Sequence, residues 1–340
     1  MTQDHRLYVG TVGEGLFRST DGGRTFRRAC DGMFVECHVR ALAVHPLMPS
    51  TLYLGSEYGV FVSGDGADSW TRLEGPPAGL QVWSLWLAPG RPEVILAGTC
   101  PSRLFRSEDG GRSWAEADAR IEQHCPRIMN TRVTCIAGDS AEPDVLWAGV
   151  EIDGLYHSRD GGRSWRPLGT GLSSRDIHAL AVIPRAGGAG APRLLAATNN
   201  DLNRSDDGGA TWRPLEVGRT LPWSYCRALT QVCGRPDVVL LGMGDGPPGS
   251  VGTVARSADG GATWQATAMP GQANSTMWNF AVNPADANLV YAGSVSGEVY
   301  RSTDAGASWE KLPREFGEIR ALAWTPSLEI PFGPKDLGAA

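Results

Sequence analysis

The chain has 340 residues, 41% hydrophobic and 20% charged, with 31 Lys+Arg against 37 Asp+Glu and a formal net charge of −6. That is enough apolar material for a large packed core and no basic excess to neutralise a phosphate backbone. A disordered chain and a general nucleic-acid binder are both excluded.

The start, Met1 to Tyr8, is polar and passes directly into strand-like sequence with no apolar signal core. No apolar run approaches the roughly 20 residues that a membrane span requires. The expected protein is cytoplasmic, with neither a membrane nor a nucleic acid as partner. The seven cysteines, Cys30, Cys37, Cys100, Cys125, Cys135, Cys226 and Cys233, are odd in number and contain no Cys-x-x-Cys pair. Reduced core thiols are expected in place of a disulfide framework or a zinc ribbon.

Glycine is abundant, 44 of 340 residues, because one segment recurs seven times. Its first copy is Arg18-Ser-Thr-Asp21-Gly-Gly-Arg-Thr-Phe26, and the others are centred on Asp65, Asp109, Asp160, Asp207, Asp259 and Asp304. Successive aspartates lie 44, 44, 51, 47, 52 and 45 residues apart. That period is about one four-stranded propeller blade. Each copy ends in Trp except the first, which ends in Phe26.

Between the copies stand the other strands. First strands read as Val39 to Val44, Val82 to Trp86, Val133 to Ile136, Ile177 to Ala181, Cys226 to Leu229, Met277 to Ala281 and Ile319 to Ala323. Each leads through a short turn to a second strand such as Leu52-Tyr53-Leu54-Gly55. The sequence starts at a second strand, Leu7 to Gly10, and finishes with an unpartnered first strand, Ile319 to Trp324. The expectation is an all-β, seven-bladed propeller over residues 1–326, one blade built from three N-terminal strands and one C-terminal strand. Residues 327–340 are expected to be a tail.

The repeated segment, S-x-D-x-G-x-[ST]-[WF], resembles the Asp-box or BNR repeat of β-propellers. The resemblance implies a hairpin turn in which Asp and Ser or Thr bond the turn backbone and the aromatic packs between blades. It assigns the seven aspartates a structural role. Sialidases share the box but have six blades and a Phe/Tyr-Arg-Ile-Pro motif; the nearest string here is Cys125-Pro126-Arg127-Ile128-Met129. Xyloglucanases of similar build set catalytic aspartates across a cleft between two propellers, and sortilin-type receptors have ten blades. Across its whole length the chain looks like single-domain seven-bladed proteins such as the photosystem II assembly factors. These bind a protein partner and carry an arginine patch.

Antiparallel strands put the boxes and the first-to-second turns on one face, and the second-to-third loops and crossovers on the other. A site is expected on the second face, at the channel mouth. Paired residues at the starts of the first strands point there. Arg40, Arg132, Arg227 and Arg320, with Trp83, Trp278, His38 and Glu57, suit a small anionic or sugar-like ligand or an acidic peptide segment. The competing reading is a hydrolase or lyase, glycosyl-hydrolase-like or metal-assisted. In it Asp176 and His178 form an acid/base pair and Glu151, Tyr225 and Arg227 stand beside them. No cofactor is expected beyond a divalent metal in that second reading, with His38, His178 and Glu151, joined by His124, as its candidate ligands.

Overall fold

The computed structural model describes residues 5–126, 128–184 and 190–327. Seven antiparallel sheets follow one another along the chain. Blade 1 orders Arg27–Arg28, Leu16–Ser19, His5–Thr11 and Ile319–Pro326, so strands from both ends of the chain close the ring. Blade 2 runs Ala41–Val44, Leu52–Ser56, Gly59–Ser63 and Thr71–Arg72. The inner strands of blades 3 to 7 are Gln81–Ala88, Val133–Gly138, Ile177–Ile183, Tyr225–Gln231 and Met277–Ala281. The expected tail falls outside the described residues from 328 onward, as do residues 1–4 of the polar start and Arg127.

Two features go beyond the expected plan. Asp118–Ala119, in the crossover from blade 3, adds a fifth, parallel strand to the outer edge of blade 4. The same crossover then forms a small hairpin, His124–Cys125 with Met129–Asn130. Among the described residues the one helical turn is Val217–Arg219, and no helix is long and apolar enough to cross a membrane.

The repeated turns share one hydrogen-bond pattern. In the fourth, Ser158 Oγ donates to Asp160 Oδ1 at 2.7 Å and receives the Gly162 N–H at 2.9 Å. Asp160 also accepts from the N–H of Arg163 and Ser164 and, through Oδ2, from the Ser164 hydroxyl at 2.6 Å. The aspartate thus satisfies donors that no sheet ladder reaches. The turn needs left-handed backbone, supplied by glycine except at Ala67 and Ala305, where φ is 66° and 58°.

The hydrophobic core is split into seven clusters, one between each pair of neighbouring blades. Leu96 and Leu104 of blade 3, for example, pack with Leu146, Tyr156 and Trp165 of blade 4. A polar contact repeats at every one of these seams: a side chain of one blade donates to the carbonyl of the residue after the next blade's turn aspartate. Arg106 Nε reaches Gly161 O at 2.7 Å, Trp147 Nε1 reaches Gly208 O at 3.0 Å, and Arg193 reaches Gly260 O at 2.8 Å. Tyr53, Arg256 and Arg301 do the same to Gly110, Ala305 and Gly22, and Arg18 to Gly66. The seventh of these, Arg301 to Gly22, crosses the closure.

Arg106 is buried, so Arg106→Leu removes a charged donor and leaves the Gly161 carbonyl unpaired; a loss of about 1.5–3 kcal/mol is expected in urea unfolding. Arg103→Leu, at a more exposed pair with Glu116, is the control and should cost less than about 1 kcal/mol. Equal effects would remove the seam contact from the account of stability.

The turns also fix an acid response. Partial burial pushes the Asp160 carboxyl up, but the bonds from Ser164 and Ser158 outweigh it and hold the group at about 2; Asp65 and Asp259 behave alike. Carboxyls depressed in the folded state add stability that is complete above the unfolded value of about 4 and is lost as pH falls through the folded one. The urea midpoint should therefore fall steeply between about pH 4 and 2, and Asp160→Asn should shallow that slope.

Candidate functional site

At the start of six inner strands the ladder slips by one residue, between Val82 and Ser84, Val133 and Cys135, Ile177 and Ala179, Cys226 and Ala228, Met277 and Asn279, and opposite Gly10 and Thr11 in blade 1. The residues left over are Trp83, Thr134, His178, Arg227, Trp278 and Arg320. Arg40 holds the matching place in blade 2, its N–H on Gly55 O at 2.9 Å. A bulge bends its strand and re-aims a side chain. All seven of these residues line a single chamber of about 240 Å³ at the channel mouth.

Small residues opposite the bulges let the blades come together there. A Cβ on Gly98 would stand 2.6 Å from the Cβ of Val133 in the next blade, and one on Gly10 would stand 2.5 Å from Val39 Cγ1. These glycines are required by close approach.

The chamber is organised as two stacks. The Arg40 and Arg132 guanidiniums lie 4.3 and 4.4 Å from the Trp83 ring centroid, and those of Arg227 and Arg320 lie 3.9 and 4.4 Å from that of Trp278. Two guanidiniums thus pack against each indole. Arg132 and Arg320 also pair with Glu151, at 2.6 Å, and Glu318. Among the described residues Arg40 and Arg227 have no ion-pair partner. Burial lowers the pKa of both, and Arg132 adds to the effect on Arg40.

A vestibule of about 660 Å³ opens beside the chamber over blades 4 to 6 and shares His178, Arg227, Trp278 and Arg320 with it. Its further walls include Glu151, Asp176, Asn199, Trp223, Tyr225 and the loop Asp245–Pro247. Here His178 is almost wholly buried. Its Nδ1 lies 2.7 Å from the Cys226 carbonyl, which can only accept, so Nδ1 carries the proton. The other nitrogen, Nε2, stands 3.5 Å from Asp176 Oδ1. In the neutral ring those are two acceptors face to face, and Asp176 Oδ1 is buried without a donor. Burial pushes the Asp176 carboxyl up, while His178, when its ring is protonated, and the Arg227 and Arg132 charges pull it below the ordinary value. Tyr225, 5.2 Å from the His178 ring, is raised by burial and stays protonated.

The residues read from sequence thus divide three ways. Arg40, Trp83, His178, Arg227, Trp278 and Arg320 share the chamber; Arg132, Glu151, Asp176 and Tyr225 join at the vestibule. His38 and Glu57 line neither space: Glu57 Oε2 accepts the His38 N–H at 2.8 Å, and His38 Nδ1 faces Arg40 at 3.4 Å. Among the described residues no three His, Cys, Asp or Glu side chains gather to hold an ion, and His38, His178 and Glu151 each have other partners. Trp223 and Ile128 are vestibule residues that the sequence reading passed over. Trp223 was open to notice as the one tryptophan outside both the repeated turns and the strands.

No family model matches the chain. Over 156 residues it is 37% identical to a xyloglucanase of Hypocrea jecorina (strain QM6a), which covers 45% of this chain and 18% of that protein. The chain therefore matches under a fifth of that relative's length. Among solved structures, an ancestral GH74 enzyme superposes with a TM-score of 0.57 at 16% identity, over 93% of this chain and 54% of the other. YCF48 bound to D1 peptide gives 0.52 at 15% identity, over 82% and 85%. These two similarities show the propeller fold.

Burial, followed by the Arg227 charge, lowers the His178 pKa, while Asp176 pulls in the other direction. Nitrogen-detected NMR should find a neutral ring protonated at Nδ1 at pH 6.5, where half of free histidine is charged. An imidazolium at that pH would make the Asp176–His178 contact a true ion pair and overturn the assignment of the proton.

Proposed function

We propose that this propeller is a binding module of the Asp-box type whose channel mouth grips a carboxylate-bearing ligand. The observation that carries the reading is the pair of arginine–tryptophan stacks, in which Arg40 and buried Arg227 form no ion pair among the described residues. A guanidinium held by an indole face keeps its N–H donors available, whereas one held by a carboxylate has spent them. The ligand's anionic group fits among the arginines in the chamber, and its body lies in the vestibule. There the Asp176 carboxylate and Asn199, both in the vestibule wall, offer bonds to a hydroxyl or amine. A hydroxy acid and the acidic end of a peptide both meet this description, the second in keeping with the peptide in the YCF48 structure.

A hydrolase of the glycosyl-hydrolase type is the second reading, favoured by the xyloglucanase likeness. Asp176, held ionised, suits a base or nucleophile, with protonated Tyr225 as the acid beside it. The arginines packed on Trp83 and Trp278 weigh against it, because they occupy ring surface on which a sugar would stack.

Thermal shift at constant ionic strength, with citrate, glucuronate and a peptide ending in two glutamates, tests the first reading. A ligand that binds only the folded state raises stability by about 2.7 kcal/mol at a hundredfold excess over its dissociation constant. At least one carboxylate should raise the melting temperature of the wild type and leave that of Arg227→Gln unchanged. Equal shifts in both proteins, or none in either, would sink the proposal. Release of sugar from xyloglucan oligosaccharides that Asp176→Asn abolishes would favour the enzyme.

A further inference from the structure

The two stacks stand on opposite sides of the channel. Neighbouring inner strands touch in blade order, and that of blade 7 touches that of blade 1, so a place in the chain is a place in the ring. Read from blade 2, the mouth presents Arg40, Trp83 and Arg132, the last paired with Glu151. Blade 5 then contributes His178. From blade 6 the same order returns as Arg227, Trp278 and Arg320, the last paired with Glu318. Each half of the ring thus offers an arginine outside any ion pair among the described residues, a tryptophan, and an arginine paired with an acid.

Arg40 and Arg227 are the corresponding members of the two halves. Blade 6 lies four steps from blade 2 through blades 3 to 5, and three steps through blades 7 and 1, which is as nearly opposite as seven blades permit. Their stacking partners, in blades 3 and 7, are equally far apart, so the two guanidiniums are held at opposite walls. Both walls belong to the one chamber of about 240 Å³.

The acids of the mouth leave both cations in place. Three arginines and no carboxylate line the chamber. Glu318 and Glu57 attract Arg40, and Glu151 and Asp176 attract Arg227, each from beyond ion-pair distance. Glu57 lines neither cavity and holds the His38 N–H, while Asp176 belongs to the vestibule wall alone. The Arg40 Nε is buried with no acceptor. A single carboxylate bound at one wall would leave the cation at the other wall uncompensated, and that is the costly state for a buried charge.

We propose that the ligand of this chamber carries two carboxylates, one taken by Arg40 and the other by Arg227 across the channel. This rests on the carboxylate-binding reading above and narrows it to ligands with two anionic ends. A free diacid has them, and so does a peptide whose last side chain adds a carboxylate to that of its terminus.

Calorimetric titration at fixed ionic strength and about pH 7.5, where carboxylates are ionised, tests this with the straight-chain diacids from malonate to pimelate and the half-amide of each. A diacid that reaches both walls should bind one per chain and about tenfold or more tighter than its half-amide, and shorter and longer diacids should fall away. General attraction to a positive chamber would favour every length alike. Arg40→Gln and Arg227→Gln should each bring the best diacid down to the affinity of its half-amide, with melting temperatures reporting that the variants fold; the half-amide and length comparisons need the wild type alone. An acetylated tripeptide ending in Glu, set against one ending in Gln, separates a peptide source from a free diacid: binding of the first alone assigns a peptide. Half-amides as tight as diacids, an advantage independent of length, or one lost in a single variant would overturn the proposal and leave the carboxylate reading standing. If no carboxylate binds, both fall.

Discussion

Each blade of this ring reaches the next through a hydrogen bond from a side chain to a turn carbonyl. Arg106 to Gly161 and Trp147 to Gly208 are two instances. The carbonyl faces the seam because the turn is rigid, and the turn is rigid because its aspartate binds backbone N–H groups and hydroxyls on the same few residues. Without that local knot the seam would bury a polar group with no fixed partner, which costs about 1–3 kcal/mol. The apolar clusters on either side give most of the adhesion, but they are non-directional. The hydrogen bond supplies the register that an apolar seam lacks.

The same need for close approach shapes the channel mouth. Inner strands pack tightly where Gly10 and Gly98 face the next blade, and opposite each such site the strand bulges. A bulge in an inner strand has only the channel to turn toward. Seven blades therefore deliver seven side chains to one chamber, and what those side chains are is free to vary without loss of the fold. The architecture builds the site, and the chemistry is written in one residue per blade.

What the sequence discloses follows from range. The repeated turn was readable because its bonds run between residues two to four apart, as from Ser158 to Asp160 and from Ser164 to Asp160. Strand order and the shared closing blade followed from counting strands. The candidate residues of the mouth were readable too, since each stands at the start of an inner strand. Their relations were not. Arg132 reaches Trp83 and Arg227 reaches Trp278 from some fifty residues away. The proton on His178 is placed by the Cys226 carbonyl in the next blade, while adjacency alone pointed to Asp176. The small residue opposite a bulge, as at Gly98, Gly149 or Gly242, was the visible trace of a slip that simple alternation hides.

The two stacks also settle how the tryptophans work. An arginine in a low-dielectric mouth needs a neighbour that offsets its lost hydration. A carboxylate does so and cancels the charge, as Glu151 does for Arg132 and Glu318 for Arg320. An indole face attracts the cation weakly, by about 0.5–2 kcal/mol, and leaves the charge and the N–H fork in place. Each stack has one arginine of each kind: one is paired with its acid, and the other, Arg40 or Arg227, is in no ion pair, with Arg40 also facing His38 Nδ1 at 3.4 Å. Positive charge remains at Arg40 and Arg227 in a chain that is negative overall. An incoming carboxylate there meets donors already in place and loses little to their ordering, which is the advantage of a site built into a rigid ring.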